Sequence, residues 1–132
     1  MRNKTKIYKL LLDELGCGPF DGGCIVMARA LQIVHGGLLV VLLGRSMPGS
    51  RPKAQHACVL LDDGRLIDAD GPLEPQAFIA RYLKNELQNV TSFRALRDSY
   101  DDTRGYADLS GTDRDEGLSK KIAKLLTVKE GP

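Results

Sequence analysis

The segment CIVMARALQIV, residues 24–34, is the feature that most constrains how this chain can fold. Its residues are apolar nearly all round a helix, with Arg29 and Gln32 as the main polar members. Such a helix has no face suited to water, so other elements must enclose it. The sequence HGG at 35–37 ends it, because glycine favours the left-handed cap. We therefore predict a central buried helix with Cys24 in its first turn.

Short apolar runs elsewhere in the chain predict a small antiparallel sheet against this helix. LLVVLL (38–43) lies between glycines and is typical of a buried strand. Two further strands, 55–61 and 65–70, are joined by Asp-Asp-Gly, which is a hairpin signal. Residues 90–96, VTSFRAL, are a candidate for another strand.

The remaining segments predict helices and one long loop. Residues 5–15 and 118–128 are amphipathic at helical spacing, and 72–87 restores the same periodicity. Residues 97–117 are polar and nearly free of aliphatic side chains, which indicates a flexible loop. At 132 residues the chain is long enough for one domain, so we expect a single α+β domain over residues 1–132.

Composition argues against several classes of partner. The net charge is only +2, aromatic residues make up 5% and there is no Trp, so we expect no nucleic-acid binding. No apolar run approaches the roughly 20 residues that cross a bilayer, and Asp13 and Glu14 interrupt the apolar start, so we expect neither a membrane span nor a signal peptide. Three cysteines without an export signal favour reduced thiols in the cytoplasm.

The position of Cys24 suits a nucleophile. A thiol attacks an acyl carbon as the thiolate, and the first turn of a helix favours negative charge. The free N–H groups of that turn can also hold an oxyanion. Gly22 and Gly23 carry no side chain that would block a substrate, and Asp21 is a candidate cap for the helix. The pattern predicts that Cys24 is an exposed, activated nucleophile.

The hairpin supplies candidates for the base and for the group that orients it. If Gly64 takes the left-handed position of a three-residue loop, His56 faces Asp70, and Asp68 lies diagonal to it. His56, Cys58 and both aspartates then share one face of the sheet, whereas a two-residue turn would place the aspartates on the other face. A carboxylate would thus reach the imidazole while the other ring nitrogen points at Cys24, as in a Cys-His-Asp triad.

These motifs resemble the papain-like superfamily. GGC opening a helix, HACVLL on a strand and IDADG at the end of the next strand are similar to the transglutaminase-like and arylamine N-acetyltransferase branch, over about residues 16–85. The resemblance extends to small bacterial or phage proteins with a DADG ending. It implies a papain-like core with Cys24 as nucleophile, His56 as base and Asp68 as orienter, and we keep Asp70 as the alternative that the register favours.

The implied function is that of a cysteine-dependent hydrolase or acyl transferase acting on amide or thioester bonds, as in a cysteine protease. A peptide or protein side chain is the expected acyl substrate, and no metal or organic cofactor is required. The chain departs from this family in lacking a Gln shortly before Cys24 and the substrate-holding aromatic residues of the acetyltransferases.

Three other interpretations remain open. Cys24 can be a small buried hydrophobe, which is the commonest state of a free cysteine. A zinc site could use Cys17, Cys24, His56 and Cys58, but gaps of six residues and one residue differ from the usual close ligand pairs. The chain can also be a non-catalytic, phage- or toxin-related interaction protein, binding through its acidic loop (98–116) and its basic terminal helices.

Overall fold

The computed structural model describes residues 1–45, 47–86, 90–97, 99–103 and 113–129. Within these ranges the chain forms an α+β arrangement, as the sequence predicts. The helices are α1 (Lys4–Leu15), α2 (Cys24–His35), α3 (Pro75–Glu86), α4 (Tyr100–Thr103) and α5 (Asp113–Thr127), and the strands are β1 (Leu38–Gly44), β2 (Lys53–Leu60), β3 (Leu66–Asp68), β4 (Gly71–Leu73) and β5 (Val90–Ala95).

The strands form one antiparallel sheet in the order β4-β3-β2-β1-β5, which puts β2 at its centre. The hairpin register predicted from the sequence is confirmed, because Val59 pairs with Ile67 and the Leu61 N–H donates to the Arg65 carbonyl at 2.8 Å. Gly64 takes a φ of 90°, which a side chain would disfavour. The three-residue loop therefore sets which side chains of β2 and β3 share a face.

Two hydrophobic clusters cover the two faces of the sheet. On one face α2 lies against β2 and is covered by α5, so that Ile25 and Val59 belong to the same buried cluster. On the other face α3 packs its buried residues Phe78 and Tyr82 against strand residues such as Cys58. The prediction of an enclosed central helix is confirmed. Although α2 is apolar it has only 12 residues, and no helix in the described ranges could span a membrane.

Two predicted boundaries are wrong. Residues 72 and 73, at the start of the helix predicted over 72–87, belong to the edge strand β4, and α3 begins only at Pro75. The periodicity of 72–87 did not show this, because the pairing of β4 with β3 is a tertiary contact that overrides a local pattern.

The flexible loop predicted over 97–117 is also partly wrong. Residues 100–103 form α4, and α5 already begins at Asp113. Asp102 is fully buried and is held by Arg94, whose Nη1 lies 2.8 Å from the Asp102 Oδ2. This ion pair orders a segment that has few aliphatic residues to bury. Residues 104–112 of the predicted loop lie outside the described residues.

Candidate functional site

Cys24 is the first residue of α2, and the glycines before it are explained by backbone geometry. Gly22 has a φ of 131°, a conformation that disfavours side chains. A Cβ on Gly23 would lie 2.7 Å from the carbonyl oxygen of Gly18, too close to be tolerated. The glycines therefore let the loop fold tightly under the helix tip, which differs from the substrate clearance that we predicted. The N–H groups of the first turn of α2 lie outside its hydrogen-bond ladder, at its positive end.

Asp21 does not cap α2, contrary to the expectation. The residue at the cap position is Gly23, with no side-chain cap hydrogen bond, and the Asp21 carboxylate accepts instead from the backbone N–H of Gly18. The Asp21 side chain therefore closes the loop between residues 18 and 21. The first turn of α2 thus keeps its N–H groups free of a competing side-chain carboxylate.

His56 lies on the central strand β2 and is enclosed by two aromatic rings. Phe20, from the loop before α2, stacks on one side with ring centroids 5.1 Å apart and an interplanar angle of 12°. Tyr82, from α3, stacks on the other at 4.9 Å and 23°. Only 1% of His56 is exposed, so its ring orientation is fixed by packing as well as by hydrogen bonds. Such rings also favour a cation between them.

Asp68 is the carboxylate that meets His56. Its Oδ2 lies 2.9 Å from the His56 Nε2, and its Oδ1 accepts from the backbone N–H of Asp70, also at 2.9 Å. The pairing of His56 with Asp70 that the extended register suggested does not form, because β3 ends at Asp68 and the chain turns. Asp70 is exposed in that turn. Its backbone helps to hold Asp68, while its side chain lies away from the imidazole.

Arg81, on α3, fixes the other side of the Asp68 carboxylate. Its Nη2 donates to the Asp68 Oδ1 at 3.2 Å and to the Gly71 carbonyl at 2.7 Å, and its Nη1 donates to the Asp70 carbonyl at 3.0 Å. The guanidinium therefore ties the end of β3 and the start of β4 to α3. Since Asp68 accepts hydrogen bonds at both oxygens, it has little freedom to rotate away from His56.

The imidazole is also linked to the sulfur of Cys24. Burial on its own lowers the pKa of His56, but hydrogen bonds to Asp68 and Cys24 and their negative charges raise it to about 9. The hydrogen bond between Nε2 and Asp68 leaves Nδ1 as the second donor of the ring. An imidazolium donates from both nitrogens, and a thiolate is the better acceptor for the second of these donors. With a pKa of about 9, His56 is an imidazolium at neutral pH, held against the Asp68 carboxylate.

The other two cysteines lack such a donor. Burial raises the pKa of Cys58 well above the ordinary value and raises that of Cys17, with the Asp21 charge as a further cause for Cys17. Both thiols are therefore held in the protonated form. Within the described ranges, no group of three or more His, Cys, Asp or Glu residues is arranged to hold a metal ion, so the zinc set considered above is not assembled there.

The expectation of an exposed nucleophile is wrong. Only 2% of Cys24 is accessible, and it belongs to the same cluster as the core residues of α2. Phe20, which is half-buried, packs against the clusters on both faces of the sheet and stacks on His56. Phe20, in the Gly-rich loop 16–23, therefore covers the His56 imidazole in this conformation.

Sequence reasoning missed three residues of the site: Phe20, Arg81 and Tyr82. The helical periodicity of α3 did place Tyr82 on an apolar face, but gave no partner for it. No local pattern indicates that Arg81 reaches the end of β3 or that Phe20 folds back over β2. The one usable signal was that Phe20 is a large apolar residue in a loop rich in glycine.

Comparison of the chain with protein-family models, with curated proteins and with solved structures found no match.

Proposed function

We propose that this protein is a cysteine-dependent hydrolase or acyl transferase with a papain-like core, acting through Cys24, His56 and Asp68. The observation that carries the proposal is the buried His56–Asp68 pair, 2.9 Å from Nε2 to Oδ2, whose imidazole is close enough to the Cys24 sulfur for that sulfur to raise the pKa of His56. A thiol is activated by a base beside it, and the base is in turn held in place by a third group. Cys24, His56 and Asp68 would fill these three roles. A cysteine at a helix start, a histidine on the central strand and an aspartate ending the next strand also agree with the papain-like resemblance.

The first half-reaction follows from these positions. The Cys24 thiolate attacks the acyl carbon, an S–C bond forms, and the carbonyl electron pair moves to oxygen. The N–H groups of the first turn of α2 stabilise this oxyanion. As the intermediate collapses, the bond to the leaving amine or thiolate breaks, and the His56 imidazolium gives its proton to the leaving group.

The second half-reaction regenerates the thiolate. The neutral imidazole takes a proton from water, whose oxygen attacks the thioester carbon, and the S–C bond breaks to release a carboxylic acid. If an amine attacks in place of water, the acyl group is transferred. Asp68 keeps the imidazole in place and stabilises the imidazolium in both steps.

Substrate entry requires the loop 16–23 to move, because Cys24 is only 2% accessible. We assign this movement to Phe20, whose ring covers His56 and is itself half-buried. Closing a site over reacting groups excludes water and strengthens their electrostatic interactions. A peptide or protein acyl group that displaces Phe20 would take its place against the imidazole.

The proposal is tested by acyl transfer to the sulfur. The protein is incubated at pH 7 with p-nitrophenyl esters, acyl thioesters and peptide anilides, and the intact mass is measured after acid quenching. We expect one acyl group on Cys24, absent in Cys24→Ser and strongly reduced in His56→Ala. Cys17→Ser is the matched control, since it removes a partly exposed thiol and should leave acylation unchanged. Acylation that is equal at Cys17 and Cys24, or that persists in His56→Ala, would contradict the proposal.

The burial of Cys24 favours a second candidate, a non-catalytic interaction protein on the same scaffold. The lysines of α1 and α5 are exposed on two helices that contact each other, and they would form part of the binding surface: Lys4, Lys6, Lys9, Lys120, Lys121 and Lys124. The acidic segment 98–116 lies largely outside the described residues. The absence of any Cys24 acylation across the panel would support this candidate over the enzyme.

A further inference from the structure

Gln55 carries a buried polar atom that its own chain does not satisfy. The residue is 3% exposed, and its side-chain Oε1 has no hydrogen-bond partner. A buried carbonyl oxygen without a donor costs free energy comparable to that of a lost hydrogen bond, so few are retained without a role. The side chain of Gln55 therefore requires an explanation that the fold alone does not give.

The position of Gln55 connects it to the candidate site. The pairing of β2 with β1 shifts between Leu42, opposite His56, and Leu43, opposite Ala54, so Gln55 is the extra residue of a β-bulge. Bulges recur beside active sites, where they redirect a side chain. Here the bulge immediately precedes His56.

Tyr82 fixes the backbone of this bulge. Its hydroxyl donates to the Gln55 carbonyl at 3.1 Å, and its ring stacks on His56. Burial raises the pKa of Tyr82, and so does the negative charge of Cys24, so the hydroxyl stays protonated and remains a donor. Gln55 and His56 are thus held by the same side chain, which fixes the backbone of Gln55 beside the imidazole.

We propose that Gln55 is a specificity-determining residue whose free amide oxygen accepts a hydrogen bond from an N–H group of the acyl substrate. The inference rests on the proposed function and names its substrate class: acylamino compounds, such as a peptide, with an N–H close to the reacting carbonyl. An unpaired acceptor oxygen repels an anionic group, and a plain alkyl ester offers it no N–H donor for a hydrogen bond. A site that is built to pair a donor discriminates against analogues that lack it.

The test compares two acyl donors that differ by one N–H. N-acetylglycine p-nitrophenyl ester carries an N–H beside the reacting carbonyl, and N-acetylsarcosine p-nitrophenyl ester has a methyl group in its place. In the wild-type protein we expect Cys24 to be acylated roughly 5- to 10-fold faster by the first ester, which is the rate difference that one neutral hydrogen bond gives. Each rate is first divided by the rate of the same ester with free cysteine. The Gln55→Met variant should show a ratio near one.

Stability gives a second readout. Because Gln55 leaves an atom unpaired, Gln55→Met should raise the melting temperature by about 2–4 °C while it removes the preference. Ser99→Ala is the matched control: its hydroxyl is the other buried side-chain atom without a partner among the described residues, and its removal should leave the preference intact.

The outcomes separate the inference from the function on which it rests. If neither ester acylates Cys24, the proposed function fails and this inference fails with it. If Cys24 is acylated but the wild-type protein shows no N–H preference, or Gln55→Met keeps that preference, only the inference is overturned. A Gln55→Met protein that is less stable than the wild type would also overturn it, because the amide would then have a structural role.

Discussion

The protonation of His56 can be tested without knowledge of any substrate. The pKa of His56 is raised from 6.5 to about 9 by its anionic neighbours, which outweigh the effect of burial. Because the folded pKa lies above the unfolded one, the imidazolium contributes stability that is fully present below about pH 6.5 and is lost as pH rises through 9. The free energy of unfolding should therefore fall by about 3 kcal/mol over this window, a large part of the stability of a small domain.

Two measurements check this expectation. Urea unfolding of the wild type at pH 6 and pH 9.5 should show the loss, and His56→Gln should show a much smaller one because glutamine does not titrate. His35→Gln is the matched control, since His35 is exposed at the end of α2 and its removal should leave the loss unchanged. An NMR titration of the ring nitrogens gives the midpoint directly. A His56 midpoint at or below 6.5, or equal pH dependence in the wild type and His56→Gln, would refute the reasoning.

Three further substitutions test the geometry around His56 and Cys24. Asp68→Asn removes the carboxylate beside the buried His56 imidazolium and should lower the free energy of unfolding in urea by about 3–5 kcal/mol. Asp70→Asn changes an exposed side chain and should alter that free energy by less than about 0.5 kcal/mol. Equal effects would contradict the assignment of Asp68 as the residue that orients His56. Gly23→Ala places a methyl group 2.7 Å from the Gly18 carbonyl oxygen, so it should lower the melting temperature by several degrees and slow the alkylation of Cys24. A variant with an unchanged melting temperature would show that the loop before α2 is not packed as described. Phe20→Ala removes the ring that covers His56 and should raise the rate of Cys24 alkylation by iodoacetamide several-fold. A slower or equal rate would mean that another segment limits access to Cys24.

The fold elements that the sequence predicted well are those specified by local patterns. The nearly all-apolar character of α2 predicted an enclosed helix, and Asp-Asp-Gly with a left-handed glycine set the register of β2 and β3. What the sequence could not predict depends on contacts between distant segments. The choice between Asp68 and Asp70 follows from where β3 ends, and β4 forms only because a strand is available to pair with it.

The same distinction applies to the candidate site. Cys24 and His56 stand out because their residue types and local settings are unusual for a plain core. Arg81 and Phe20 do not stand out, since an arginine on a helix and a phenylalanine in a loop have many uses. The sequence left Cys24 open as an exposed nucleophile or a small buried residue, and its burial in the structure agrees with the second on this point.

The central claim, that the His56 imidazolium activates the Cys24 sulfur, is tested most directly by the pH dependence of alkylation. Limited access slows the reaction at every pH, so the ratio of rates between variants reports activation and not exposure. Peptide mapping should show Cys24 alkylated by iodoacetamide at least about 10-fold faster in the wild type than in His56→Ala at pH 6.5, with the two rates converging towards pH 10, where a thiol ionises without help. A ratio near one at pH 6.5 would mean that the imidazole does not activate the sulfur, and the account of the site would be wrong.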